Sequence, residues 1–177
     1  MSATTTLNAI RAHGPCAPGW SKLLAHLGKT KADDEPLPLL TILDSNGLDD
    51  ALWCMRAMPE HDKHWRLYAV WCARQVQHLM TDQRSISALD VAERHARGDA
   101  TDAELFAYSA AASDAAWNAA RAAASDAAWA AAARAAAWAA AWAAGDAARD
   151  AQAARLREVC AEIDAEIEQA MATGSEA

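Results

Sequence analysis

The sequence predicts an all-α protein: a multi-helix bundle in which short N-terminal helices pack with long, alanine-rich antiparallel helices. Hydrophobic residues make up 53% of the 177 residues, and many are alanine, which has the lowest helix cost of any residue. Proline, which breaks helix interiors, does not occur after Pro59. Eight tryptophans supply large side chains for burial, which disfavours a disordered chain. These observations favour helix almost everywhere.

Residues 1–100 are expected to form a part built of short helices separated by stop signals. A helix over Trp20–Leu27 is expected to end at Gly28, because glycine readily adopts the left-handed conformation that closes helices. A charged linker then leads to Pro36 and Pro38, which suit the first turn of a new helix.

The next two helices are predicted on either side of a Ser-Asn-Gly stop. A helix over Leu39–Leu43 is expected to stop at this triplet, with Gly47 as a left-handed cap. Asp49 and Asp50 then favour the start of a further helix, because carboxylates stabilise the positive end of the helix dipole. This helix is predicted to run to Pro59.

Two further helices are predicted before residue 100. Apolar spacing of three and four over His64–Met80 predicts one buried face. That face comprises Leu67, Tyr68, Trp71, Cys72, Val76 and Leu79. A helix over Ile86–Arg97 is expected to end at Gly98, and Thr101 with Glu104 forms a capping box that starts the next helix.

Residues 101–172 are predicted to form the long-helix part, rich in alanine and tryptophan, and are expected to belong to one folded unit. About two thirds of residues 110–154 are alanine, and the other residues recur in steps of four. A four-residue repeat drifts by about 40° per step around a helix. We therefore expect two or three antiparallel helices, broken at Gly145–Asp146 or, second, at Ser125–Asp126. Residues 173–177 are expected to be a disordered tail.

The tryptophans and arginines of this tract are the candidate partner-binding residues. In one interpretation the tryptophans fill gaps between closely packed helices, each indole N–H meeting a carboxylate. In the other they form an aromatic and charged surface for a protein or a planar ligand. The candidate residues are Trp117, Arg121, Trp129, Arg134, Trp138 and Trp142.

Charge and cysteine content restrict the class of protein. A net charge of −8 and a pI of about 5.1 disfavour nucleic-acid binding, which needs a basic face. The cysteines form no CxxC pair, as expected for reduced thiols in the cytoplasm. We expect no secretory signal and no membrane span, since the alanine-rich stretch contains Arg134.

No catalytic or metal site is predicted. His61 and His64 lie between Cys54 and Cys72, but their gaps match no common zinc-ligand spacing. His95 is expected to interact with the negative end of its helix rather than act as a base. The sequence contains no phosphate-binding glycine loop, GxSxG or HExxH motif. We therefore expect no enzyme activity, no catalytic residues, no metal and no cofactor.

Several segments together resemble a known family. They are LGKTKADDEPLPLLTILDSNGLDDALWCMRAM, LYAVWCARQV, AERHARGDATDAEL and the repeats DAAW, NAAR and DAAW. They resemble the immunity protein family of phages, prophages and bacteria, and the resemblance covers roughly residues 14–160. It implies an all-α, non-enzymatic protein encoded by mobile elements or their hosts and associated with immunity. It implies no individual functional residues.

The resulting hypothesis is a protein that binds a phage, toxin or host-defence component stoichiometrically in the cytoplasm of a bacterial host. Immunity would then mean superinfection exclusion, toxin neutralisation or action against a defence system. Two alternatives stay open: a protein that sequesters a small nucleotide signal by stacking, and an architectural helical assembly protein. The expected partner is a protein, and binding to nucleic acid or to a membrane is not expected. The alanine faces also leave room for a homodimer.

Overall fold

The protein is all-α, as predicted, in a computed structural model that describes residues 3–75, 77–79, 82–108 and 134–174. Residues 102–108 are helical as well, and short 3₁₀ turns span Met55–Ala57, Pro59–His61 and Gln77–Leu79. The other described helices are α1 (Leu7–Ala12), α2 (Ala17–His26), α3 (Leu39–Asn46), α4 (Leu48–Cys54), α5 (Asp62–Gln75), α6 (Gln83–Arg97) and α7 (Arg134–Gly174).

A single short strand pairing interrupts the helices of the described ranges. Strand β1 (Thr4–Thr5) runs antiparallel to β2 (Leu37–Pro38), with Thr4 opposite Pro38 and Thr5 opposite Leu37. The sequence did not predict these strands, because two residues are too few to show the alternating pattern of a strand. The pairing places the N-terminal residues beside the start of α3.

The chain divides into two compact units. The first unit comprises Met1–Asp62 and Arg149–Ala177, and the second comprises Lys63–Ala148. The predicted division at residue 100 follows composition along the chain, whereas these units follow packing. The C-terminal part of α7 therefore belongs to the same unit as the N-terminal helices.

One stripe of α7 is the C-terminal contribution to the core of the first unit. Leu156, Val159, Cys160 and Ile163 are each at most 2% exposed. Their spacing of three and four residues places them on one side of the helix. Sequence analysis concentrated on the tryptophan repeat and missed this stripe. The buried N-terminal residues of the same unit include Leu7, Ile10, Leu39, Ile42 and Met58.

Polar contacts also connect α7 to the first unit. The backbone N–H of Ala3 donates to Oδ1 of Asp164 at 2.9 Å. Arg149 forms an ion pair with Asp49 at 2.9 Å, and Arg157 pairs with Asp44. The two ion pairs are exposed, so each contributes at most about 1 kcal/mol. The buried apolar stripe therefore supplies most of the stabilisation.

The glycine stop signals act largely as predicted. Helix α2 ends just before Gly28, whose φ is +64°, and α6 ends at Gly98, which has the left-handed conformation (φ +89°, ψ 9°). Gly47 differs from the prediction, because its φ of +97° is combined with an extended ψ of 179°. This conformation is not a left-handed cap. It turns the chain sharply enough for α4 to begin at the following residue.

In the second unit, charged contacts join α5 to α6 and α6 to the helix at residues 102–108. The guanidinium of Arg74 on α5 binds Asp90 and Glu93 on α6, each at 2.7 Å. The predicted capping box is half formed: the hydroxyl of Thr101 accepts a hydrogen bond from the backbone N–H of Glu104 at 3.2 Å. The Glu104 carboxylate binds Arg94.

The buried residues of α5 differ from the predicted face. Trp65, Tyr68 and Val70 are buried, whereas Leu67, Trp71 and Cys72 are only half-buried. Val70 lies on the opposite side of the helix from Trp65 and Tyr68, at 100° per residue. Burial on two sides weakens the single-face pattern that the prediction assumed. The other two predicted positions fall outside the described side chains.

The predicted break at Gly145–Asp146 is wrong, because α7 runs without interruption through both residues. Gly145 has no positive φ, and nothing lies within 4 Å of the position that a Cβ would occupy. One helical glycine costs only about 0.5–1 kcal/mol relative to alanine, so its alanine-rich neighbours can carry the helix across it. The alternative break at Ser125–Asp126 lies outside the described residues, as do residues 175–177 of the predicted tail.

We expect Gly145→Ala to raise the free energy of unfolding by about 0.5–1 kcal/mol, because alanine removes the helix cost of glycine at an open position. Gly98→Ala is the matched comparison and should lower it by about 1–2 kcal/mol, because Gly98 is left-handed. Urea denaturation followed by circular dichroism measures both changes. Destabilisation by Gly145→Ala would contradict a continuous α7.

Candidate functional site

A small pocket of about 70 Å³ lies in the first unit, at the junction of α2, α3 and α4. Its lining is mainly apolar and includes Ile10, Leu23 and Ile42 together with two half-buried tryptophans, Trp20 and Trp53. Asn46 and Asp50 place polar groups in this lining. A concave apolar site with a few polar groups is the usual form of a binding pocket.

Asn46 links the three helices that form the pocket. As the last residue of α3, it donates from Nδ2 to the backbone oxygen of Gly19 on α2 at 2.8 Å and to Oδ2 of Asp50 on α4 at 2.7 Å. Its Oδ1 accepts a hydrogen bond from the Ser45 hydroxyl at 2.8 Å. The amide group is therefore engaged on both ends, which orients the Asp50 carboxylate.

Gly19 allows the Asp50 carboxylate to lie directly against α2. A Cβ at residue 19 would be 2.7 Å from Oδ2 of Asp50 and 3.1 Å from Sγ of Cys16. The first distance is too short for a real contact, so any larger residue would displace the carboxylate. Glycine at this position thus maintains the shape of the pocket.

Asp50 differs from the two neighbouring aspartates in having no cationic partner. Asp44 pairs with Arg157 and Asp49 pairs with Arg149. In the part of the chain that the structure describes, no lysine, arginine or histidine forms an ion pair with Asp50. A negative charge is therefore available at the pocket.

The charge of Asp50 also acts on the thiol of Cys54, which lines the same pocket. Burial, and secondarily the negative charge of Asp50, raise the pKa of Cys54 to about 12, against an opposing effect of Arg56. Cys54 is consequently a neutral thiol at physiological pH. It serves as an apolar part of the pocket lining and not as a nucleophile.

Arg56 contacts both the ring and the backbone oxygen of Trp53. The Arg56 guanidinium lies 4.2 Å from the centroid of the Trp53 ring, and its Nε donates to the Trp53 backbone oxygen at 2.8 Å. This cation–π contact covers one face of the ring. The same ring also lines the pocket.

A second cavity, of about 400 Å³, lies within the second unit. At its edge Nε2 of His95 is 2.7 Å from Oδ1 of Asp102, and Nδ1 is 3.4 Å from the guanidinium of Arg66. His95 lies in the last turn of α6, where it was expected to interact with the helix end, and its ring also bridges two charged side chains. Ala69, Val70, Ala92 and Leu105 provide the apolar part of the lining.

None of the predicted partner-binding residues has a described side chain. Trp117, Arg121 and Trp129 lie outside the described residues. Arg134, Trp138 and Trp142 lie in the first part of α7, residues 134–144, where only the backbone is described, and they occur at steps of four along the helix. Their role in partner binding stays a prediction.

Sequence analysis missed the residues that form the first pocket. Asn46 was interpreted only as part of a stop signal, and Asp50 only as a helix-start residue. Both interpretations agree with the structure, in which Asp50 lies in the first turn of α4. The additional role depends on Gly19 and Trp20 from a helix that precedes them by more than twenty residues, and no local spacing reveals it.

The described residues contain neither a metal-binding cluster nor a membrane-spanning helix. No group of three or more His, Cys, Asp or Glu side chains in these ranges is arranged to hold a metal ion. None of the helices described combines the length and apolar character needed to cross a bilayer.

The structure thus defines an all-α protein with a small pocket that carries one negative charge. No protein-family model matches the chain, and no curated protein or solved structure matches it at a significant level. The resemblance to immunity proteins therefore rests on the sequence segments described above alone.

We expect iodoacetamide at pH 8 to alkylate Cys16 well before the other cysteines, because Cys16 is exposed at the pocket. At this pH only about one Cys54 thiol in ten thousand is ionised, given its raised pKa. Burial likewise raises the pKa of Cys160 to about 11. Mass spectrometry of the native protein measures the modification, and Cys16→Ser should remove it. Equally fast modification of Cys54 would show that the pocket is more open than described.

Proposed function

We propose that this chain is a non-enzymatic immunity protein of the phage and prophage type, which acts in the cytoplasm of a bacterial host. It binds a phage, toxin or host-defence protein stoichiometrically. The family resemblance of residues 14–160 motivates the immunity role. The observation that carries the binding role is the preformed pocket with Asp50 and two tryptophans in the first unit.

The pocket has the features of a contact site for a protein partner. Tryptophan-lined pockets near partly exposed surface are frequent sites of high binding energy, because an anchor side chain loses its water there. Asn46 and Arg56 hold the pocket groups in place before binding. Preorganisation of this kind reduces the entropy cost of association.

The chemistry of the pocket favours holding a ligand over transforming it. The Asn46 amide is engaged on both ends, and the raised pKa of Cys54 keeps its thiol neutral. Catalysis needs groups that exchange protons or attack a substrate near neutral pH. The Asn46 amide and the Cys54 thiol contribute to the shape and polarity of the pocket instead.

The decisive experiment is phage plating on a bacterial host in which expression of the chain is varied in steps, with strains that carry or lack defence systems. We expect plating to change and the change to depend on the amount of protein, because a stoichiometric binder must match its target in number. Fewer plaques would indicate superinfection immunity, and more plaques confined to defended strains would indicate action against defence.

One double variant refines this experiment. Trp138→Ala with Trp142→Ala should abolish the plating effect while circular dichroism shows retained helix, if the tract is a contact surface. A loss of fold would instead place these tryptophans in a core, where each such change costs about 3–5 kcal/mol. A full effect at trace expression, or no effect of the chain in any strain or against any co-expressed toxin, would contradict the proposed function.

A second candidate function, sequestration of a small anionic signal such as a nucleotide, is favoured by the cavity of the second unit. Arg66 and His95 border about 400 Å³ of space that also has apolar walls. In this case a nucleotide panel should change tryptophan fluorescence, and Arg66→Gln should reduce that response. Arg84→Gln, at an exposed arginine that pairs with Asp82 and does not line the cavity, should not reduce it. If no nucleotide of the panel changes the tryptophan fluorescence, the sequestration function is contradicted.

A further inference from the structure

We propose that the Asp50 pocket receives a basic side chain, a lysine or arginine of the partner protein, with its methylene stem against the apolar lining and its cationic head at the Asp50 carboxylate. This inference rests on the proposed function, because it names the chemistry of the partner at the same site. It identifies a ligand class through three independent features: charge, lining and shape.

Charge complementarity is the first feature. Among the described residues that line the pocket, Asp50 is the one with a formal charge, and it has no cationic partner there. Its neighbours Asp44 and Asp49 are already neutralised by arginines of α7. A cation from a ligand would therefore form with Asp50 the kind of ion pair that arginines of α7 form with Asp44 and Asp49.

The lining provides the second feature. Lysine and arginine combine an apolar stem with a charged tip, and they bury the stem while the tip stays at a polar group. The pocket matches this division, since Ile10, Leu23 and Ile42 are apolar and the polar groups gather at Asp50. Trp20 and Trp53 add aromatic rings, and tryptophan is the best aromatic partner for a cation.

The Arg56–Trp53 contact shows that this ring already binds a cation on one face. Arg56 itself is directed to the backbone oxygen of Trp53 and forms no ion pair with Asp50. The protein thus uses its own arginine to hold the ring and leaves the carboxylate for a ligand.

Shape is the third feature. Gly19 permits the carboxylate to lie against α2, and Asn46 fixes its orientation by a hydrogen bond of 2.7 Å to Oδ2. Asn46 donates one hydrogen bond to Oδ2 of Asp50, and a carboxylate can accept several hydrogen bonds. An ammonium or guanidinium group can therefore bind the carboxylate without breaking the Asn46 contact.

The test uses the full chain with n-butylammonium as a probe of the lysine side chain and butan-1-ol as its neutral counterpart of equal length. Indole N–H signals are followed by nuclear magnetic resonance and assigned with Trp20→Phe and Trp53→Phe. We expect saturable shifts of these two signals with n-butylammonium, together with slower alkylation of Cys16. Butan-1-ol should bind about tenfold more weakly, because it lacks the charge-assisted hydrogen bond.

Asp50→Asn and Asp49→Asn are matched variants, since both remove one negative charge from the first turn of α4. Asp50→Asn should weaken n-butylammonium binding about tenfold, whereas Asp49→Asn, which lies outside the lining, should change it less than about twofold. Gly19→Ala should also weaken binding, because its Cβ displaces the carboxylate, without loss of helix.

Several outcomes would overturn the inference. They are equal binding of butan-1-ol, equal effects of the two aspartate variants, or no saturable shift with n-butylammonium. Broadening of the Trp20 and Trp53 signals at high protein concentration, without any amine, would assign the pocket to a second copy of this chain. Phage plating and protection against co-expressed toxins separate this inference from the proposed function. An effect that survives Asp50→Asn refutes only the pocket, and amine binding without any effect on plating or on a toxin refutes only the function.

Discussion

Burial of one stripe of α7 against the N-terminal part of the chain is the interaction on which the first unit depends. Leu156, Val159, Cys160 and Ile163 are almost fully buried. Full burial of each aliphatic side chain contributes roughly 1.5–3 kcal/mol, more than an exposed ion pair contributes. The stripe brings the C-terminal part of α7 into one unit with the N-terminal helices, which lie about a hundred residues earlier in the chain. The helices that form the pocket belong to the same unit.

The three aspartates near the α3–α4 junction have different partners because of this packing. Arginines of α7 neutralise Asp44 and Asp49, whereas Asp50 turns toward α2 and Asn46. The single-residue connection at Gly47 brings the end of α3 and the first turn of α4 together. The Asn46 amide orients the Asp50 carboxylate without supplying a positive charge, so the junction between α3 and α4 also forms the polar side of the pocket.

Local signals predicted much of the first unit and of α6. The ends of helices at Gly28 and Gly98 and the first-turn position of Asp49 depend on backbone preferences of a few neighbouring residues, which the sequence displays directly. The two buried sides of α5 were missed, because periodicity identifies a single face well and a helix covered on two sides poorly. The helix-breaking tendency of Gly145 was overestimated for a similar reason, since the alanines around it outweigh one unfavourable residue.

By itself the sequence determined that this protein is helical, acidic and divided by glycine stops, because helix propensity, charge and capping act over a few residues. Only the tertiary structure decided that Asp50, unlike Asp44 and Asp49, has no cationic partner among the described residues. It also decided that Thr4 and Thr5 pair with Pro38 and Leu37, and that Trp20, Asn46 and Trp53 share a pocket. These outcomes depend on contacts between distant segments, such as Asp49 with Arg149, a hundred positions later. The physical reason is that burial and pairing are properties of neighbours in space, which a linear pattern of residues does not specify.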